Sequence, residues 1–283
     1  MIDHHVPPHL LAAELERTIE AALAEDVGSG DITSDTVIPA DLRFSGAMVA
    51  RQELVVAGLD FVRDIVRRLA PTARVVTEVA DGDRIEAGRV LCTIDGPARG
   101  LLTAERTALN LLQHLSGIAT ATRAYADLVA GTGCTLLDTR KTTPGLRHLA
   151  KYASRLGGAV NHRIGLYDAV LIKDNHVAVC GGVGEAGRRR RTAGLPAIEV
   201  ECDRLEQVVE AVEAGPDTIL LDNMSVPMLR EAVRLVAGRC RLEASGGVTR
   251  ETIRAIAETG VDYVSVGRIT QSASAVDIGL DWR

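Results

Sequence analysis

Several classes of functional site require residues that this sequence has in very small numbers. Only two Phe and one Trp occur among 283 residues, so the aromatic platforms on which single-stranded nucleic acids stack are not expected. The five cysteines form no CxxC pair and no Cys/His cluster, which argues against a zinc site and against a disulfide framework. We therefore expect buried free thiols in a core built from small aliphatic side chains.

A net basic charge and long apolar runs are lacking as well. The net charge of -6 argues against a nucleic-acid-binding surface, although a local basic pocket can exist within an acidic total. No apolar run approaches the ~20 residues of a membrane span, and residues 1–10 show no basic segment followed by an apolar one. We expect a cytoplasmic protein that binds neither nucleic acid nor membranes.

The first 130 positions predict a small α+β domain followed by helices. Short Val/Ile/Leu runs alternate with Gly turns over residues 44–97, and one helix over residues 59–69 interrupts them. Over residues 103–130 Pro is absent, Gly117 is the only Gly, and Leu recurs at helical spacing. We predict two helices in this segment, broken near Gly117.

The second half of the chain predicts a parallel sheet. Six short apolar segments end in or next to a polar residue, and helical segments separate most of them: CTLLD, AVLIKD, AIEVE, DTILLD, CRLEAS and DYVSVG. Near-continuous apolar strands that alternate with helices indicate an α/β fold, with the sheet forming an open or a closed barrel. Active sites of such barrels lie at the C-terminal ends of the strands. We therefore expect six residues to converge there: Asp138, Lys173, Glu201, Asp222, Ser245 and Gly267.

Cations cluster at two of these strand ends. Thr139, Arg140 and Lys141 directly follow the first strand, where the Arg fork can match a carboxylate or phosphate and Lys can act as a mobile point charge. Arg163 precedes the second strand and Lys173 ends it, so we expect two more cations at the C-terminal ends of the strands. The alternatives are a solvated basic loop and, for Lys173, a Schiff-base lysine whose pKa is lowered by burial.

An acidic pair and two glycine-rich loops complete the set of candidate groups. Glu201 and Asp222 end neighbouring strands and suit magnesium, which prefers oxygen ligands, but they could equally be ordinary ion-pair partners. Two loops after the last two strands could let backbone amides approach a phosphate, or could be tight turns. They consist of Ser245, Gly246, Gly247 and of Ser265, Val266, Gly267. Together these groups describe a pocket for a heavily anionic, metal-bridged substrate such as phosphoribosyl pyrophosphate.

Several longer segments carry a resemblance to one enzyme family. DTRKTTPGLR, NHRIGLYDAVLIKDNH, IEVECD, LLDNM and LEASGGV, with EDVGSGDITSD and AERTALNLLQHLSGIAT upstream, are similar to segments of quinolinate phosphoribosyltransferases. The resemblance implies transfer of phosphoribosyl to quinolinate with decarboxylation, which gives nicotinate mononucleotide, pyrophosphate and carbon dioxide. It also implies a homodimer, or in some members a hexamer, whose active sites are completed across the interface.

The same resemblance implies a fold and residue roles. The fold would be an N-terminal α+β sandwich domain over residues 1–116, an incomplete α/β barrel over residues 117–269, and a tail over residues 270–283 that packs back on the first domain. Quinolinate would be held by Arg140, His162, Arg163 and Lys173, with Arg106 supplied by the other subunit. Phosphoribosyl pyrophosphate and magnesium would be held by Lys141, Glu201, Asp222 and the two glycine loops, with Thr139 also contacting substrate. The catalytic groups would be Lys141, Lys173, Glu201 and Asp222.

Some features depart from the family or leave other functions open. Gln271 stands where the family often has His, so we assign it no role. The basic run at residues 188–191, within the loop of residues 180–193, is expected to be a solvated face. The rival functions are a nicotinate phosphoribosyltransferase, a Schiff-base aldolase that uses Lys173, and a non-catalytic phosphate-sugar binding protein. Four cations exceed the need of one carboxylate, which favours quinolinate over nicotinate.

Overall fold

The computed structural model of the protein describes residue 2, residues 4–181 and residues 198–283. The helices in these residues are α1 (Pro8–Asp26), α2 (Ile32–Val37), α3 (Leu59–Leu69), α4 (Ala98–Val129), α5 (Arg147–Leu156), α6 (Asp174–Cys180), α7 (Leu205–Ala214), α8 (Val226–Val236), α9 (Ile253–Ala257) and α10 (Arg268–Gln271). The strands are β1 (Arg43–Ala50), β2 (Leu54–Val55), β3 (Arg74–Thr77), β4 (Arg84–Ile85), β5 (Val90–Pro97), β6 (Thr135–Leu137), β7 (Val170–Ile172), β8 (Ile198–Cys202), β9 (Thr218–Asp222), β10 (Arg241–Ser245), β11 (Tyr263–Ser265) and β12 (Ile278–Trp282).

The chain divides into two compact units. The barrel unit holds the described residues of Met1–His5, Ala124–Lys141 and Ala159–Gly267. The sandwich unit holds Val6–Arg123, Thr142–Gly158 and Arg268–Arg283. Each unit therefore contains segments from distant parts of the sequence.

The sandwich unit is built on an antiparallel sheet in the order β12, β1, β5, β3. Helix α3 turns one apolar face inward and buries residues at helical spacing, among them Val62, Ile65 and Val66. Ile65 belongs to the same buried cluster as Met48 of β1 and Leu101 of α4. Burial of each such side chain contributes roughly 1.5–3 kcal/mol, so the contact of helices with one sheet face holds this unit together. The predicted α+β sandwich is confirmed.

Helix α4 corrects one prediction. The break expected near Gly117 does not occur, and α4 runs unbroken over 32 residues. A Cβ atom at Gly117 would lie 2.2 Å from the main-chain oxygen of Ser274, so the glycine serves a close approach of another segment to the helix. A glycine inside a helix costs only about 0.5–1 kcal/mol relative to Ala, which a well-packed helix tolerates. None of the described helices, α4 included, is long and apolar enough to cross a membrane.

The barrel unit contains the parallel sheet that the sequence predicts. All six predicted segments are strands, hydrogen-bonded in the order β6, β11, β10, β9, β8, β7. Strand β9 buries four consecutive residues, Thr218 to Leu221, as a strand covered on both faces does. Among the described strands β6 and β7 are the two edges, so the sheet is open and the incomplete α/β barrel is confirmed.

Candidate active site

The carboxyl ends of the six parallel strands lie side by side along one end of the sheet, and we call this line of strand ends the rim. Asp222 and Ser245 end neighbouring strands and are paired in register across them. The other predicted strand-end groups lie at or just after the same edge, namely Asp138 after β6, Lys173 after β7, Glu201 in β8 and Ser265 at the end of β11, with Gly267 in the loop that follows. Parallel pairing therefore brings together residues that are up to 129 positions apart in the sequence, from Asp138 to Gly267.

An acidic pair lies at the middle of the rim. Glu201 and Asp222 line one cavity of about 280 Å³. Burial and the charge of Glu201 raise the pKa of Asp222 above its ordinary value, against the lowering effects of a hydrogen bond from Asn223 and of two lysines. Two carboxylates that repel each other across a cavity are suitable ligands for a divalent cation.

Lys173 does not have the surroundings of a Schiff-base lysine. Its side chain is 48% exposed, and its Nζ lies 3.1 Å from Oε2 of Glu201. A lysine that attacks a carbonyl must lose its proton, which burial promotes and a neighbouring carboxylate opposes. The aldolase alternative therefore loses its physical basis.

Two arginines of the rim lie close to each other. Burial and the charge of Arg140 lower the pKa of Arg163, and only 5% of Arg163 is exposed. One contact fixes the Arg163 guanidinium, since its Nη1 donates to the main-chain oxygen of Ala169 at 3.1 Å. The Nε of Arg140 is buried and makes no hydrogen bond with any described residue. Like charges held together beside an unsatisfied donor favour the binding of an anion.

Beneath the rim lies a cluster of three buried ionisable side chains, which we call the buried triad: His162, Glu199 and Glu243. The Nε2 atom of His162 lies 2.9 Å from Oε2 of Glu199 and 3.4 Å from Oε2 of Glu243. Burial and the charge of Glu243 raise the pKa of Glu199 to about 7. Burial raises the pKa of Glu243 too, but its contacts with His162 and hydrogen bonds that include one from Ser265 lower it, and the net direction is down. Of the two carboxyl groups, Glu199 is therefore the one that takes up a proton more readily.

The protonation of His162 is decided by its second ring nitrogen. Burial lowers the pKa of the ring, and the two glutamates raise it further than burial lowers it, which favours a charged imidazolium. However, the main-chain N–H of Arg163 points at Nδ1 from 2.7 Å, and this contact requires a lone pair on Nδ1. We assign a neutral ring with its proton on Nε2, because an N–H group facing another N–H group at this distance would be strongly repelled.

Glycine is favoured in the two loops for different reasons, by positive φ angles after β10 and by a close contact after β11. Gly246 has φ +89°, and a Cβ atom there would lie 2.2 Å from Oδ1 of Asn223. A Cβ atom at Gly267 would lie 2.7 Å from Cδ of Lys141, so the loop after β11 packs directly on that lysine. These contacts place main-chain amides beside the rim, as the phosphate-binding hypothesis requires, and they are equally compatible with tight turns.

The remaining predicted residues lie in different places. Thr139 is half-buried, and its hydroxyl accepts the main-chain N–H of Lys141 at 2.9 Å, which shapes the loop after β6. Arg106 belongs to α4 in the sandwich unit and is exposed. The basic run at residues 188–191 lies outside the described residues.

Sequence reasoning missed two participants, Asp138 as a buried anchor and Glu243. Asp138 is fully buried and accepts the main-chain N–H of His162 and the side-chain amide of Asn161, both at 2.8 Å. A signal for Glu243 existed, because it stands two positions before Ser245, as Glu199 stands two before Glu201. Alternate residues of a strand face the same side, so both glutamates face the side of the rim groups.

Comparison with known proteins identifies the family. The model of the quinolinate phosphoribosyl transferase N-terminal domain matches residues 31–116, and that of the C-terminal domain matches residues 118–281. The chain belongs to the quinolinate phosphoribosyltransferase family. It is 48% identical over 272 residues to a nicotinate-nucleotide pyrophosphorylase [carboxylating] of Mycobacterium leprae, a match that covers 93% of this chain and 95% of that relative.

Two further comparisons agree. A probable nicotinate-nucleotide pyrophosphorylase [carboxylating] of Bacillus subtilis is 40% identical over 270 residues, covering 95% of this chain and 93% of the relative. The solved structure of the nicotinate-nucleotide pyrophosphorylase from Francisella tularensis superposes with a TM-score of 0.93 at 38% identity and covers 98% of both chains. Members of the family are thus similar to this chain over nearly its whole length.

Proposed function

We propose that this chain is an enzyme that transfers phosphoribosyl from phosphoribosyl pyrophosphate to quinolinate, with release of pyrophosphate and carbon dioxide, to give nicotinate mononucleotide. One observation carries the proposal: Arg140 and Arg163 lie close enough for the charge of one to affect the pKa of the other, and Arg140 has a buried donor without a partner. A substrate with two adjacent carboxylates would relieve both conditions. Membership of the family supports the same reaction.

The arginine pair would orient quinolinate for attack. Each guanidinium can hold a carboxylate with two parallel hydrogen bonds, which fixes the plane of the pyridine ring. A ring held in this way would present its nitrogen to the anomeric carbon of the ribose. Positioning of this kind removes a large part of the entropic barrier to a reaction of two substrates.

The loops after β10 and β11, together with Lys141, would hold phosphoribosyl pyrophosphate. The main-chain amides of the glycine loops at residues 245–247 and 265–267 can donate to phosphate oxygens, and Lys141, which packs on Gly267, can follow the negative charge that develops on the leaving pyrophosphate. Positive charge builds on the ribose as pyrophosphate leaves. The carboxylates of Glu201 and Asp222 stand at the same rim and would stabilise it.

We further propose that Glu201 and Asp222 recruit magnesium together with the pyrophosphate. The two carboxylates line the same cavity and repel each other. Their oxygen atoms and their negative charge are what magnesium prefers in its ligands. Bound magnesium would neutralise phosphate charge and so make pyrophosphate a better leaving group. Lys173, which is paired with Glu201, would remain available to balance the charge of the acidic pair.

Decarboxylation would follow from the first step. Once the pyridine nitrogen carries the ribose it is positively charged, so the electrons of the breaking carbon–carboxylate bond can remain on the ring carbon beside it. A proton then replaces carbon dioxide at that carbon. The arginine that holds this carboxylate would lose its anionic partner as neutral carbon dioxide leaves.

We also propose a homodimer in which Arg106 serves the site of the other subunit. Arg106 is exposed on α4 of the sandwich unit, whereas the other proposed quinolinate ligands belong to the barrel unit. An exposed arginine on a separate unit is free to enter a neighbouring copy. A two-fold symmetric dimer would then complete two equivalent sites.

One assay tests the proposed function. The protein is mixed with phosphoribosyl pyrophosphate, magnesium and either quinolinate or nicotinate, and nicotinate mononucleotide is measured. We expect product from quinolinate with release of carbon dioxide from its 2-carboxylate. Turnover of nicotinate alone would instead assign the monocarboxylate activity, and a borohydride-trapped adduct on Lys173 would assign an aldolase.

A further inference from the structure

The buried triad of His162, Glu199 and Glu243 occupies an unusual place for ionisable groups. All three side chains lie inside the barrel unit, with exposed fractions of 8%, 5% and 1%. One polar atom from each of the three side chains lies within 4.8 Å of the other two. Three such groups are expensive to bury unless their hydrogen bonds are satisfied, so a fold that needed only stability would do as well with apolar residues. The burial of the triad therefore indicates that these residues contribute to the active site at the rim.

The contacts of the His162 ring leave it no group to offer to a substrate. Its Nε2 faces Glu199 at 2.9 Å, and its Nδ1 accepts the main-chain N–H of Arg163 at 2.7 Å. A hydrogen bond from this ring to quinolinate would have to break one of these contacts. The broken contact would leave a polar group unsatisfied in the protein interior, at a cost that a single new bond does not recover.

The same contacts fix the main chain that carries Arg163. The main-chain N–H of His162 donates to Asp138 at 2.8 Å, which ties the segment to the end of β6. The ring is hydrogen-bonded to Glu199 in β8, and Oε2 of Glu243 in β10 faces the same ring nitrogen from 3.4 Å. Hydrogen bonds to the end of β6 and to β8 thus hold one short segment, with Glu243 packed beside it, and the next residue along it is the arginine whose guanidinium is fixed by Ala169 at 3.1 Å.

We infer that His162, Glu199 and Glu243 are positioning residues that act through Arg163: they hold its main chain so that its guanidinium meets a quinolinate carboxylate, and none of them contacts quinolinate. The inference rests on the proposed function and reassigns His162, which the family resemblance places among the quinolinate ligands. It differs from a general structural role because it predicts a defect confined to one substrate and dependent on one arginine.

A double-mutant cycle on His162 and Arg163 tests this dependence. The wild type, His162→Ala, Arg163→Ala and the double variant are compared by kcat/KM for quinolinate at saturating phosphoribosyl pyrophosphate. We expect at least a thirtyfold loss for Arg163→Ala, since a buried charged partner is removed, about a tenfold loss for His162→Ala, and no further loss in the double variant beyond about a factor of two. If the two losses multiply in the double variant, His162 acts independently of Arg163 and the inference is overturned.

A second double-mutant cycle distinguishes the inferred role from an effect of misfolding. His162→Ala leaves two glutamates facing each other in the interior, so Glu243→Gln, which keeps the volume and removes one charge, is combined with Arg163→Ala in the same way. We expect Glu243→Gln to raise KM for quinolinate several-fold while KM for phosphoribosyl pyrophosphate changes by less than about twofold, because only Arg163 is displaced. Equal changes in both KM values, in parallel with a fall in melting temperature, would indicate a merely structural role and overturn the inference.

Controls separate failure of the inference from failure of the proposed function. Glu213→Gln is the matched control, because Glu213 lies on the surface with 76% of its side chain exposed and pairs only weakly with Arg239. It should leave both KM values unchanged. A wild-type protein that forms no nicotinate mononucleotide would overturn the proposed function and the inference with it, whereas an active wild type with multiplying losses overturns the inference alone.

Discussion

Replacement of Arg140 by Met should separate substrate binding from folding stability. In the protein without substrate, Arg140 carries a buried Nε with no hydrogen-bond partner among the described residues and lies beside the charge of Arg163. An unsatisfied buried donor costs about 1–3 kcal/mol, and Met fills a similar volume without that donor or that charge. The lost contacts of the guanidinium offset part of the gain. We therefore expect Arg140→Met to be between zero and about 2 kcal/mol more stable than the wild type.

The measurement is a thermal denaturation with and without quinolinate. For a chain of this size about 1 kcal/mol shifts the melting temperature by roughly 2–4 °C, so the variant without ligand should melt at the wild-type temperature or up to roughly 8 °C higher. At a quinolinate concentration about one hundred times the wild-type Kd, the wild type should gain about 2.7 kcal/mol, and the variant, whose Kd should be at least about thirtyfold higher, should gain less than about 1 kcal/mol. The value of kcat/KM for quinolinate should fall at least about thirtyfold, because a charged partner of a buried carboxylate costs about 2–5 kcal/mol.

A matched surface variant controls for the loss of positive charge. Arg230 is exposed on α8, and Arg230→Met should change neither the melting temperature nor the response to quinolinate. The argument is refuted if Arg140→Met melts several degrees below the wild type while its stabilisation by quinolinate is retained. That result would make Arg140 a structural residue and would remove the arginine pair as the basis of the proposed function.

Four other outcomes are expected. Nicotinate should react at least about thirtyfold more slowly than quinolinate in kcat/KM, since it leaves one cation of the rim unpaired, and equal turnover of the two acids would contradict this. Excess chelator should abolish activity reversibly and leave the melting temperature of the protein unchanged, whereas a metal that copurifies tightly would contradict recruitment with pyrophosphate. Gly246→Ala should cost about 1–3 kcal/mol of stability and raise KM for phosphoribosyl pyrophosphate, because its φ of +89° and the 2.2 Å approach to Asn223 exclude a Cβ atom; an unchanged KM would argue against the phosphate role. A mixture of inactive Arg106→Ala and Lys173→Ala chains that exchange subunits at random should regain about one quarter of wild-type activity, and background activity after confirmed exchange would show that the site is not shared.

The strands of the barrel unit could be predicted because their sequences are nearly continuous apolar runs. The segment TILLD is buried along four of its five residues in β9. An apolar run of this length between turn residues is typical of a buried strand and is too short for most helices. Gly117 shows the opposite case. A glycine in a helical pattern can mark a break or a close contact, and only the position of Ser274, far along the chain, distinguishes the two.

The buried triad shows why the site could be predicted only in part. Glu201 and Asp222 end strands, and the general rule for barrels therefore points to them. Glu243 lies one layer deeper, and from the sequence alone it is a charged residue inside an apolar strand without an evident partner. Its partner His162 is 81 positions away and belongs to a loop, so no local pattern connects them.

By itself the sequence determined the strand segments, the order of polar groups at their ends and the resemblance to a family, because each depends on residues that are close together in the chain or in fixed motifs. Only the tertiary structure decided which of these groups share a cavity, which arginines repel each other, and where the histidine of the site points. These properties depend on distances of a few ångströms between residues on different strands. Parallel pairing sets those distances, and it brings Glu199 and Glu243 to the ring of His162, which in turn accepts the main-chain N–H of Arg163.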